Sequence, residues 1–177
     1  MLPFEESRKT LLQDTFSQGN PLSSTLAYNI SITQFRREIA ESVRRTHGLD
    51  IGRSCVYNVF ASFKTNTGWT NPIIMIYDTG AVVSLLPGKF RRILGVENLA
   101  PVKLSGISPE IEVDAGLTRA GLRLHDEAGK TTRELKAWIA IAEKDNVPAI
   151  LGLKDVSDMH DFRVDSKRKM FYLDFWK

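Results

Sequence analysis

The chain has 177 residues, 42% of them hydrophobic, with 24 basic and 21 acidic side chains giving a net charge of +3. Those figures suit one domain, or one domain with an appendage, built on a single core. A charge of +3 is too mild to argue a nucleic-acid partner, the single Cys55 excludes an internal disulfide, and three scattered histidines leave no zinc-ligand spacing.

Residues Met1 to about Ser24 are polar, broken by Gly19-Asn20-Pro21 and Ser23-Ser24, and are expected to be flexible. With Glu5 and Glu6 and no long apolar run, the N-terminus does not read as a signal peptide, and no segment has the length of a bilayer span. The expectation is a soluble, cytoplasmic chain without a membrane partner. Ser31-x-x-Gln34 has the form of a capping box and predicts a helix to about Thr46, stopped by Gly48, with Ile32, Phe35, Ile39 and Val43 as its apolar stripe. The opposite face carries Arg36, Arg37, Arg44 and Arg45 around Glu38 and Glu41, and reads as a solvated face rather than an RNA-binding one.

From Cys55 the period changes to two. Tyr57, Val59, Ala61 and Phe63 alternate with polar residues, Thr65 to Gly68 turns the chain, and Pro72 to Tyr77 returns it as the second strand of a hairpin. A short helical or irregular piece covers Pro87 to Leu94. Val102 to Leu104 and Ile111 to Ala115 form a second hairpin around the glycine-containing tip Ser105-Gly106-Ile107-Ser108-Pro109. Leu122 to Leu124 follows, and after a turn at Glu127 to Gly129, Leu135, Ala137, Ile139 and Ile141 mark an amphipathic strand. Val147 to Leu151 reads as a buried strand, Gly152 to about His160 as a short helix, and Phe162 to Val164 and Met170 to Trp176 as two closing strands. Short strands with repeated turns predict an all-β, closed or sandwiched domain with one short C-terminal helix.

Asp78-Thr79-Gly80 is where chemistry concentrates. The run Ile73 to Tyr77 leads into it and Val82, Val83, Leu85 and Leu86 lead away, which predicts an acid at the end of a buried strand. An acid in an interior is costly unless its surroundings compensate or use it. Gly80 allows close approach of backbone or water.

The pattern Asp78-Thr79-Gly80-Ala81-x-x-Ser84, followed far downstream by Ala149-Ile150-Leu151-Gly152, resembles the retropepsins, the aspartic proteases of retroviruses and long-terminal-repeat retrotransposons. The likeness covers about Ser54 to Trp176. It implies a closed β-barrel-like fold over residues 51–177, with 1–50 as a partly helical N-terminal extension. It implies that Asp78 is catalytic, that Thr79 hydrogen-bonds across a two-fold axis, and that Gly80 lines the cleft. Ala81 would border substrate, Ser105, Gly106, Ile107 and Ser108 would form the flap over the peptide, and Ala149 to Gly152 would pack behind the catalytic loop. The final strand, Phe171 to Trp176, would join a sheet shared by two chains. The implied activity is endopeptidase cleavage of a retroelement-type polyprotein by a homodimer, with neither metal nor cofactor.

One Asp-Thr-Gly per chain agrees with the dimer, because water activation by paired carboxylates needs a second acid from a twin. The chain departs from the family pattern at Ser108-Pro109, where a Gly-Gly pair is common, at Glu110, and at Lys154 after Gly152. Those departures are the support for an alternative, a catalytically weak or inactive dimerisation or peptide-binding module. An actin-like sugar kinase or ATPase fits poorly, because those folds need two large lobes and this chain is short with few helices. A phosphoaspartate site is excluded by Thr79 in the position after the acid.

Overall fold

The structure is a computed structural model and describes residues 25–34, 37–48, 53–105, 112–154, 156 and 159–176. The expected flexible stretch Met1 to Ser24 lies outside the described residues. Among the described residues, strands dominate and only two helices occur, α1 (Arg37–His47) and the five-residue α2 (Phe90–Leu94).

Six strands close a barrel. β2 (Arg53–Thr65) pairs with β4 (Ile73–Tyr77) and β7 (Glu112–His125), and β7 pairs with β8 (Leu135–Ala142). β5 (Ser84–Leu86) runs parallel to β8, and β9 (Ile150–Leu151) joins β5 to β4. The circuit β2-β4-β9-β5-β8-β7 therefore returns to its start and leaves no open edge. β3 (Gly68–Trp69) continues the first hairpin turn, and β6 (Ala100–Ser105) pairs with the first half of β7.

Alternation sets which side chains fill the barrel. Val59, Ala61 and Phe63 of β2, Met75 of β4, Leu122 and Leu124 of β7, and Leu135, Ala137 and Ile139 of β8 are all buried. Each large aliphatic or aromatic side chain buried this way contributes roughly 1.5–3 kcal/mol.

The N-terminal region departs from expectation. Thr25–Gln34 is a strand, β1, and the helix starts at Arg37 instead of following Ser31. The first half of β1 pairs with β11 (Met170–Phe175) and the second half with β2. Leu26 and Tyr28 enter the core, and the Tyr28 ring stacks on Phe171 with centroids 4.8 Å apart. Long-range pairing of Ile30–Gln34 with β2 outweighs the local capping pattern here. Ile32, expected on a helical stripe, is exposed on the strand. The described side chains of α1, including Arg44 and Arg45, are exposed, as a solvated face requires.

β10 (His160–Asp165) completes the outer layer beside β11. The final strand is thus paired on both edges within its own chain, by β10 and β1, so it offers no edge to a shared sheet. Between Gly152 and His160, two turn bonds are seen, Val156 N–H to the Leu153 carbonyl at 3.0 Å and Met159 N–H to the Val156 carbonyl at 3.1 Å. Residues 155, 157 and 158, the remainder of the expected helix, lie outside the described residues.

Candidate active site

β9 is the element that shapes the site. It lies between β4, the strand entering Asp78-Thr79-Gly80, and β5, the strand leaving it. The Ile76 N–H donates to the Ala149 carbonyl at 2.9 Å and the Asp78 N–H to the Leu151 carbonyl at 3.1 Å. On the far side of the loop, the Leu153 N–H donates to the Ala81 carbonyl at 2.9 Å and the Lys154 N–H to the Val82 carbonyl at 2.7 Å. The Gly152 N–H donates to the hydroxyl of the fully buried Ser84 at 3.1 Å. Ala149 to Gly152 therefore does pack behind the loop.

Within the loop, Asp78 Oδ1 accepts the Gly80 N–H at 2.8 Å, and the Ala81 N–H donates to the Asp78 carbonyl at 3.2 Å. The side chain and its own turn fix each other. Asp78 is half-buried, not enclosed as the apolar flanks predict, because the loop turns out of the barrel. Thr79 and Gly80 are exposed, Ala81 is half-buried, and Val82 is 71% exposed.

A second apolar cluster stands apart from the barrel core. Leu85, Ala115, Ala140 and Ala142 are its buried members, and Val83, Leu104, Val113, Val147 and Ile150 pack against them. Val83 follows the Asp78 loop, Ile150 lies in β9, and Leu104 and Val113 come from the β6/β7 hairpin, so one apolar wall joins loop to hairpin. Ser105 ends β6, exposed and opposite Glu112, and a Lys103–Glu112 ion pair of 3.0 Å spans the hairpin neck. Gly106, Ile107 and Ser108, with Pro109 and Glu110, lie outside the described residues.

Sequence reasoning passes over Val83 and Ile150 as wall residues, because only the spatial cluster marks them. It also passes over His160, whose Nε2 lies 2.9 Å from the hydroxyl of Tyr77, the residue before Asp78. A cleft of about 670 Å³ lined by Gly88, Arg91, Leu99, Pro101, Gly116 and Glu143 lies elsewhere, at the base of the hairpin, and includes no residue of the Asp78 loop. Among the described residues no group of His, Cys, Asp and Glu is placed to hold a metal ion, and no helix is long and apolar enough to cross a membrane.

No protein-family model matches the chain, and neither does any curated protein sequence. Among solved structures, the chain is similar to a retropepsin-like aspartic protease from Rickettsia conorii, at 16% identity and a TM-score of 0.45, over 85% of this chain and 93% of that one. It is also similar to the EIAV protease complexed with the inhibitor HBY-793, at 16% identity and a TM-score of 0.34, over 62% of this chain and 91% of that one.

Proposed function

We propose that the chain is an aspartic endopeptidase that works as a homodimer, each copy supplying one Asp78. The observation that carries this reading is the Asp78 carboxylate itself. It is oriented by the Gly80 N–H, half-open to solvent, and flanked by an apolar wall and the uncharged, exposed Thr79, Gly80 and Val82. In this reading a second Asp78 comes beside the first and the peptide lies along the wall.

Two such carboxylates close together cannot both ionise and share one proton. The ionised member takes a proton from a water, which attacks the peptide carbonyl carbon. The protonated member donates to the carbonyl oxygen. On collapse the proton taken from water passes to the leaving nitrogen, and the other carboxylate takes a hydroxyl proton from the tetrahedral species. Amine and acid leave with the dyad again sharing one proton. In this reading Thr79 ties the two loops together, Gly80 and Ala81 border the peptide backbone, and Ser105 to Ser108 close over it. The substrate is a polypeptide of the retroelement-polyprotein kind. Residues 51–177 act as the protease domain and 1–50 as an extension to it, lending β1 to the sheet.

The test is hydrolysis of a mixed peptide pool at acidic and neutral pH. Native protein should cleave, Asp78→Asn should not, and excess Asp78→Asn added to native protein should quench activity by forming mixed dimers. Turnover by purified Asp78→Asn, or full activity in a species that sediments as a monomer, overturns the reading.

A further inference from the structure

Tyr77 stands immediately before Asp78, and its side chain is buried behind the loop. Its ring stacks on Phe162 with centroids 5.1 Å apart and meets His160 edge-on. The hydroxyl lies 2.9 Å from His160 Nε2, and His160 Nδ1 lies 2.7 Å from the Val156 carbonyl. A carbonyl can only accept, so Nδ1 carries a proton. In the neutral ring Nε2 is then the acceptor, and the Tyr77 O–H donates to it.

These bonds close a ring around the candidate site. From Asp78 the chain leads back to Tyr77, whose hydroxyl binds His160, and His160 binds the Val156 carbonyl. The Val156 N–H binds the Leu153 carbonyl, the Leu153 N–H binds the Ala81 carbonyl, and the Ala81 N–H binds the Asp78 carbonyl. Every link except the Tyr77–His160–Val156 bridge is backbone, so that bridge is the one part of the ring a side chain controls.

Resting on the protease reading above, we propose that His160 is a positioning residue for Asp78, acting through the Tyr77 hydroxyl and the Val156 carbonyl. The neutral imidazole holds both. Protonation turns Nε2 into a donor, reverses the Tyr77 bond and forces the hydroxyl proton to find another acceptor. Among the described residues, the polar and charged groups acting on the ring are Tyr77 from β4, the Val156 carbonyl, Asp161 on β10 and Asp174 on β11. Burial favours the neutral form, while the Val156 carbonyl and the two carboxylates pull the other way.

Tyr77→Phe and His160→Gln test this in the full-length chain, beside Asp78→Asn. Tyr77→Phe keeps the ring stack and removes only the hydroxyl. Its kcat should fall about tenfold while KM stays within about twofold, since the apolar wall is untouched. His160→Gln supplies an amide donor and acceptor that do not titrate. It should retain most of the native kcat near neutrality and lose the part of the acid-side fall in kcat that belongs to His160. Native kcat in Tyr77→Phe, or an acid limb in His160→Gln identical to the native one, overturns the proposal while leaving the protease reading intact. Turnover by Asp78→Asn overturns the protease reading itself.

Discussion

Gly152 approaches Val83 so closely that a Cβ on it would sit 2.5 Å from both the carbonyl carbon and oxygen of Val83. Those atoms are backbone, in the bend between the Asp78 loop and β5, so they cannot yield without moving the loop. Gly152→Ala should therefore push β9 off the loop and cost about 1–3 kcal/mol, or more if the strand cannot shift. Thermal melts should show a drop of several degrees, and a melting temperature equal to the native one would rule out so close an approach.

Ser84 holds the same junction from the other direction. Its hydroxyl is fully buried and accepts the Gly152 N–H. Ser84→Ala leaves that N–H buried without its acceptor and should cost about 1–3 kcal/mol. Ser84→Thr keeps the oxygen, and denaturant titration should place it nearer the native chain than the alanine variant.

The barrel strands are legible because each shows its buried face at a period of two, as Val59, Ala61 and Phe63 do within β2. At the N-terminus two local signals compete. Ser31-x-x-Gln34 has the form of a helix start, while Leu26, Tyr28, Ile30 and Ile32 alternate as a strand. Pairing of the first half with β11 and of Ile30–Gln34 with β2 decides in favour of the strand. The loop itself is legible from Asp78-Thr79-Gly80 and its apolar flanks. Its half-open setting is not, since exposure depends on where the barrel wall ends. The Tyr77–His160 bond joins residues 83 positions apart and leaves no periodic trace.

Two buried histidines link stability to pH. Burial, reinforced by the Arg123 charge, lowers His125 from 6.5 to about 4, and its Nε2 lies 2.7 Å from the Ser62 hydroxyl. Burial also lowers His160. A histidine with a depressed folded pKa binds its proton more readily when unfolded, so its stabilisation is full above about pH 6.5 and is lost as pH falls through the folded value. The slope is at most about 1.4 kcal/mol per pH unit for each histidine. Melting temperature should fall between pH 6.5 and 4.5, less steeply in His125→Gln. A flat or rising native profile over that interval would contradict the assignment.

Ile150 and Leu151 are neighbours in a two-residue strand and should respond in opposite ways to the same substitution. Leu151 is fully buried in the barrel core and its carbonyl accepts the Asp78 N–H, whereas Ile150 faces the apolar wall opposite Leu85. Alternation along a strand puts the two side chains on opposite faces. Leu151→Ala opens a cavity in the core and should cost about 2–5 kcal/mol of stability. Ile150→Ala removes wall surface that a bound peptide would cover, and should weaken peptide binding by about 1–3 kcal/mol with little change in melting temperature. Peptide titration onto Asp78→Asn carrying each second substitution separates binding from turnover, and melts of the same proteins report the fold. If Ile150→Ala loses stability as Leu151→Ala does while binding peptide normally, the wall is a second core and not a substrate surface.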